Sequence, residues 1–344
     1  MRQPLRTHGY RAAAAAALAC VLTATTQQAA QADPPTLTEV RARLQSLYHD
    51  AEVATDQYNA ADEKVTAQQK RVGTLNGRVH TTEAELARLN SLAGATARAQ
   101  YRSGGVPAEV QFALATDPGR ALDNAGLALQ AQQSTQNLLT DLTTTREDLR
   151  TRTDAAAAEL KRLRASRRAM DTGRKKIEQH IAAARKLESQ LAAKERRRLA
   201  ALDKKAADDA QATWESTGIL EKIGTDGTAA GKQAIAYATR QLGKPYVWGA
   251  EGPDSFDCSG LTSQAWLAAG HTIPRTSEEQ WRRLKRIPVE DMRPGDLIIY
   301  FSDASHVALY MGDGKIVSAP RPGRDIYVSP AASMPILGVV RPDA

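Results

Sequence analysis

Apolar residues recur at alternating intervals of three and four along the first long stretch of the chain: Leu37, Val40, Leu44, Leu47, Ala51, Ala54, Tyr58, Ala61 and Val65. The register continues through Val72, Leu75, Val79, Leu86 and Leu89, with Gln68 and Thr82 as polar interruptions. This is a heptad seam, and it predicts one arm of a coiled coil. Thr36-Leu37-Thr38-Glu39, following Pro34-Pro35, has the pattern of a capping box and predicts the start of that helix. A second seam places Leu142, Leu149, Ala156, Leu163, Met170, Ile177, Ala184 and Leu191 seven residues apart. Among its companion positions Leu160 and Ile181 are apolar but Arg146, Arg167 and Arg174 are not, so this arm is expected to pack more loosely or against a partner. Between the arms, Ser103-Gly104-Gly105-Val106-Pro107 and Asp117-Pro118-Gly119 break the helix. They predict the tip of an antiparallel hairpin near 103–120, with a short amphipathic helix near 108–115. Arms of about 60–80 residues would be roughly 90–120 Å long at ~1.5 Å per residue.

The pattern changes after Glu215. Gly218, Gly224, Gly227 and Gly231 make residues 216–229 read as a flexible linker. Beyond it, a helix is expected over 230–242, ended by Gly243, and another from Cys258 to Ala269, ended by Gly270. Leu261, Ala265, Trp266 and Ala269 form the buried stripe of the second helix. Ser277 and Gln280 are spaced as a capping box for a third. Leu297–Phe301 and His306–Met311 read as apolar strands joined by a short polar loop. The chain is thus read as multi-domain: residues 33–215 an all-α antiparallel coiled-coil hairpin, 216–229 a linker, and 230–344 a module of mixed α and β structure.

Residues 1–32 resemble a secretory leader. Arg2, Arg6 and Arg11 precede a short apolar core at 12–22, and Ala30-Gln31-Ala32 offers a small-residue cleavage site. The apolar run is too short to span a bilayer. Ala17-Leu18-Ala19-Cys20 resembles a lipoprotein acylation box only loosely, and cleavage after Ala32 is the preferred reading. Cleavage removes three arginines and lowers the formal charge from +7 to +4. It also removes Cys20, one of only two cysteines. The mature chain is expected to be extracytoplasmic, secreted or wall-associated, with a single thiol and no internal disulfide. A lone thiol exposed to an oxidising compartment is best explained by chemistry. The basic stretch Lys194–Arg198 has no interleaved aromatic residues and acidic neighbours, so a nucleic-acid partner is not expected. It reads as a solvated face, or as a contact for anionic wall polymer or lipid.

The remaining thiol, Cys258, opens a helix behind the turn formers Asp254, Ser255 and Asp257. Unpaired N–H groups and the positive end of the helix dipole favour a thiolate there. Of the six histidines, His306 alone opens an apolar strand. A base on a rigid strand facing a thiol at a helix N-terminus is the arrangement thiol acyl transfer needs. No cluster of His, Cys and carboxylates points to a metal or other cofactor.

Six motifs follow in order: Gln241-Leu242-Gly243-Lys244-Pro245-Tyr246-Val247-Trp248-Gly249, Asp257-Cys258-Ser259-Gly260, Pro274-Arg275-Thr276, Pro294-Gly295-Asp296-Leu297, Ser305-His306-Val307 and Ala319-Pro320-Arg321-Pro322-Gly323. In order and spacing they resemble the NlpC/P60 family of bacterial cell-wall cysteine peptidases, over roughly the last 115 residues. The resemblance implies a papain-like α+β fold with an antiparallel sheet. It also implies hydrolysis of peptidoglycan stem peptides, commonly after γ-linked D-glutamate. It makes Cys258 the nucleophile and His306 the base. Tyr246 is expected near the thiol or a substrate carbonyl, and Asp257 and Ser259 near a free substrate amine; by its position Asp257 also reads as the helix cap. Some relatives carry helical arms that dock to a membrane complex, which makes the hairpin tip a candidate dock for a membrane-protein or division-complex partner.

Two positions depart from the family. Ala250 replaces the second glycine of Trp-Gly-Gly, and Ser318 stands where relatives often carry a histidine, or another polar residue, that orients the base. A serine hydroxyl can accept the imidazole hydrogen bond, though it holds the ring less firmly. Ser318 shares a strand face with His306 only if residue 308 pairs with 318. A three-residue loop Gly312-Asp313-Gly314 meets that condition and a two-residue Asp313-Gly314 turn does not. The reading is a secreted peptidoglycan endopeptidase. The alternatives are a wall-binding scaffold whose coiled coil recruits another hydrolase, and acyl-transfer or amidase chemistry in the same cleft.

Overall fold

A computed structural model describes residues 36–102 and 118–344. The expectations for the leader, Cys20 and the interarm helix near 108–115 lie outside the described residues.

Helix α1 (Leu37–Arg102) and helix α2 (Pro118–Gln190) form the antiparallel hairpin, about 100 and 110 Å long at ~1.5 Å per residue. The first seam is buried at Val40, Leu44, Leu47, Ala51, Ala54, Ala61, Val65 and Leu89, and the second at Leu163, Ile177 and Ala184. Leu160 stays exposed. Gly173 lets α2 approach closely, since a Cβ there would stand 3.3 Å from Tyr58 Cβ. Helix α3 (Ala193–Glu215) returns along the base of the hairpin, where Arg41 Nε meets Asp203 at 2.7 Å. No described helix is long and apolar enough to cross a membrane.

The second half is α+β. A six-stranded antiparallel sheet has the order β1-β6-β2-β3-β4-β5, built from Lys285–Ile287, Leu297–Tyr300, His306–Gly312, Lys315–Ser318, Tyr327–Pro330 and Ile336–Arg341 (β1 to β6 in chain order). Helices α4 (Ala229–Thr239) and α5 (Cys258–Ala268) cover one face, packing Ala234, Leu261, Ala265 and Trp266 against Leu297, Val307 and Leu309. The other face, with Ile298, Tyr300, Ala308, Tyr310 and Ile316, is covered by Ile223, Trp214, Ile219 and Leu220.

Those last residues correct the expectation of a flexible linker over 216–229. Ile223 is buried, Gly224 N donates to Met292 O at 2.8 Å, and a Cβ at Gly227 would stand 2.6 Å from Pro294 O. The glycines serve close approach rather than flexibility. Gln211 of α3 adds a tie, accepting from Ala332 N at 2.9 Å. By its contacts the chain from Leu37 to Ala344 is one compact unit.

The capping residue of helix α6 (Ser277–Arg283) is Thr276, whose side chain accepts from Glu279 N, one position earlier than the spacing of Ser277 and Gln280 implies. Gln280 is buried and bonds Thr262 and Pro274 O instead.

Candidate active site

Asp257 caps α5, its Oδ1 accepting from Gly260 N at 2.6 Å. It also accepts from Gly249 N at 2.9 Å and takes both guanidinium nitrogens of Arg275, at 3.0 and 2.7 Å. Ser259 is buried on the same network, accepting from Arg275 Nη1 at 3.0 Å. Arg275 itself is buried and pairs further with Glu251. Gly260 is required because a Cβ there would run into the carbonyl of Ala250. Gly249 takes the left-handed backbone, φ 75°, and Ala250 is absent from the positive-φ positions, so the departure from Trp-Gly-Gly falls where a side chain is tolerated.

Cys258 therefore sits in the first turn of a firmly capped helix, buried. The backbone N–H of Val307, the residue directly after His306, favours the Cys258 thiolate, and Cys258 and Val307 pack in one buried core. The candidate nucleophile thus packs beside the residue that follows the candidate base. Tyr246 is buried close enough to feel the charge of Cys258 and Asp257, and burial pushes its hydroxyl pKa up.

Strand β3 pairs with β4 at Leu309↔Val317 and Tyr310↔Ile316, which puts 308 opposite 318 one step further along. Ser318 thus shares a face with His306. The route differs from the expected loop. Asp313 and Gly314 are a two-residue turn with φ of 52° and 65°, and an irregularity between Tyr310 and Gly312 adds the residue that restores parity. Ser318 is buried, yet neither ring nitrogen of His306 has a hydrogen-bond partner, so the Ser318 hydroxyl does not hold the ring in this state.

The cleft is not open. Helix α1 lies across it with a polar seam that the apolar periodicity does not reveal. His49, Glu52, Asp56 and Asn59 follow one another at intervals of three, four and three, beside the apolar seam, and the last three are buried. Asn59 Nδ2 donates to Asp257 Oδ2 at 3.0 Å. Asp56 Oδ2 accepts from Ser277 Oγ at 2.5 Å and from Glu278 N at 3.3 Å. Glu52 Oε1 stands 3.6 Å from His306 Nδ1. His49 reaches Ser305 Oγ at 3.3 Å and Asp303 at 3.1 Å, and packs on Phe301. Tyr58 meets Trp248 edge-on at 5.1 Å. The signal available in the sequence was this second three-four repeat of polar residues on a helix whose outer face is otherwise solvated.

The cover reverses the expected ionisation of the thiol. Burial, followed by the charges of Asp257, Asp56 and Glu52, pushes Cys258 well above its ordinary value, and only the Val307 N–H opposes. Desolvation outweighs the helix dipole here. Burial likewise lowers His306 to about 4. Burial raises Asp56 to about 7, against the Ser277 hydrogen bond, and raises Glu52 well above the carboxylate range. A cavity of about 200 Å³ beside Arg275, lined by Glu63, Glu251 and Ile273 among others, does not reach Cys258 or His306. Among the described residues no group of three His, Cys, Asp or Glu could hold a metal ion.

The chain is similar to known proteins over this module. The model of the NlpC/P60 family matches residues 243–335. A probable endopeptidase of Corynebacterium glutamicum is 34% identical over 140 residues, covering 41% of this chain and 66% of that protein. The probable endopeptidase p60 of Listeria monocytogenes is 45% identical over 87 residues, 25% of this chain and 18% of that protein. Among solved structures, the P60 domain of an antigen from M. avium subspecies paratuberculosis is 32% identical, covers 32% of this chain and 92% of that chain, and has a TM-score of 0.31. The match thus spans less than two thirds of each of the two curated relatives. The C-terminal module of this chain belongs to the NlpC/P60 family.

Proposed function

We propose that this chain is an exported peptidoglycan endopeptidase that hydrolyses amide bonds of stem peptides, after γ-linked D-glutamate, with Cys258 as nucleophile and His306 as base. The observation that carries the reading is the placement of Cys258 in the first turn of a capped helix, packed in one core with Val307, the residue that follows His306. The names of the endopeptidase relatives support the same reaction class.

In the reaction, the thiol proton passes to His306 as sulfur attacks the amide carbon. The tetrahedral intermediate collapses to a thioester, and the leaving amine takes the proton from His306. Water, deprotonated by His306, then cleaves the thioester and restores the thiol. Backbone N–H groups at the start of α5 are suited to the oxyanion. Ser318 is the orienting group once the ring is free to turn toward it. Asp257 does not serve as a free carboxylate: Arg275 and the cap consume it, and its one substrate-side contact is the Asn59 amide.

The test is digestion of purified peptidoglycan, with fragment masses naming the bond cut. Fragments ending in γ-D-glutamate are expected from the chain carrying Asn59→Glu, which breaks the amide contact to Asp257, and not from that chain with Cys258→Ala added. Identical products from both would favour the scaffold reading, in which the hairpin recruits another hydrolase.

A further inference from the structure

The polar seam of α1 is built into the cleft rather than laid on it. Asn59 presents an amide nitrogen to Asp257, and Asp56 presents a carboxylate to Ser277 and the Glu278 N–H. Glu52 presents a second carboxylate to His306. These are the groups a peptide substrate would bring. The ends of the segment are pinned separately. Tyr48 donates to Glu188 at 3.0 Å and carries the Arg321 guanidinium 3.9 Å above its ring, and Tyr58 packs on Trp248. His49 grips the loop that leads into His306, where Phe301 and Ala304 hold positive φ.

We propose that residues 48–59 of α1 are an intramolecular latch that occupies the substrate cleft, and that rising pH releases it through its two buried carboxylates, Glu52 and Asp56. The proposal rests on the assignment of Cys258 and His306 as the reacting pair.

The charges around the latch give the sign. Asp56 faces Asp257 and Arg275, and Glu52 faces Asp56, Asp303, Arg321 and His306. Asp56, raised from 3.8 to about 7 when closed, favours the closed state fully below about 3.8 and loses that contribution as pH rises through about 7. Glu52 acts in the same direction. His306, lowered from 6.5 to about 4, acts oppositely, because opening lets it take up a proton below 6.5. Between those values opening releases two protons from the carboxylates and returns one to the imidazole. The net is one proton released, so opening is favoured as pH rises.

The experiment is iodoacetamide alkylation of the full chain from pH 5 to 6.5, scored by mass spectrometry on the peptide carrying Cys258. Asn59→Glu, which sets a carboxylate against Asp257, and His49→Glu, which sets one against Asp303, should open the latch. Each should raise the alkylation rate at least tenfold. Wild type should show a slope steeper than one log unit per pH unit, one from the thiol and the excess from opening. Glu52→Gln/Asp56→Asn should fall below one. Two variants guard against a fold defect in either, with helicity by circular dichroism as the control. The proposal is overturned if wild-type Cys258 reacts like a free thiol, if every helical opening variant reacts at the wild-type rate, or if the double substitution leaves the slope unchanged. Alkylation reads the cover and not the hydrolysis. A reactive thiol without peptide products would sink the peptidase reading and leave the latch standing.

Discussion

Asn59 of the hairpin donates its amide to Asp257, the residue that caps the helix carrying Cys258, at 3.0 Å. The contact joins positions 198 apart in sequence and makes the coiled coil part of the catalytic module's interior. The cap, the thiol and the latch therefore share one hydrogen-bond network, and substitutions within it should separate their roles.

Arg275 is the only cation paired directly with the fully buried Asp257 among the described ion pairs. Arg275→Ala leaves that carboxylate without its partner and should cost about 3–5 kcal/mol of stability. Arg275→Lys supplies charge without the bidentate fork and should recover only part of it. Urea unfolding midpoints check both.

Gly260→Ala places a methyl against the Ala250 carbonyl, which belongs to backbone and cannot swing aside. The expected cost is about 1–3 kcal/mol, with Cys258 displaced because the first turn of α5 must shift. Thermal unfolding and the alkylation rate of Cys258 should both change. Gly270→Ala, where no atom lies within 4 Å but φ is +88°, should cost about 1–2 kcal/mol through backbone strain alone and leave the thiol unaffected.

His306 has a depressed pKa of about 4 because burial disfavours the imidazolium. Its ring signals in the closed wild-type chain should stay those of neutral imidazole from pH 8 to pH 5. In Asn59→Glu, water returns and the midpoint should move toward the ordinary value of about 6.5. An NMR titration of the ring checks the shift, and activity of the opened chain should fall on the acid side of that midpoint.

Ser318 shares the His306 face but makes no bond to it in the closed state. In the opened chain, Ser318→Ala should lower kcat by less than about tenfold, the span of a neutral hydrogen bond. Ser318→His should raise kcat, because a longer group with a better acceptor reaches the ring. Steady-state rates with the fold checked by circular dichroism decide it. A rate unchanged in both variants would remove Ser318 from the site.

The heptads were legible because burial follows period: nearly every position from Val40 to Val65 that the three-four spacing selects is buried. The motif residues were legible as a family pattern, which the NlpC/P60 match over residues 243–335 bears out. Three features were not. Glu52, Asp56 and Asn59 repeat at helical spacing, but a polar repeat reads the same whether solvent or the rest of the chain covers it. The thiol's ionisation was misjudged for the same reason, since the helix dipole is local and the covering acids are not. Residues 216–229 look loose because glycine reports both flexibility and close approach, and only the position of Pro294 and Met292 tells them apart. The Asp313-Gly314 turn misled on loop length, because the compensating irregularity at Met311 has no marker in the sequence.

The most direct measurement is release of peptides from purified peptidoglycan at pH 7 by the full chain carrying Asn59→Glu, run beside Asn59→Glu/Cys258→Ala. Soluble stem-peptide fragments from the first and none from the second are predicted. Equal release from both, or none from either with Cys258 freely alkylated, would contradict a thiol peptidase held shut by its own coiled coil.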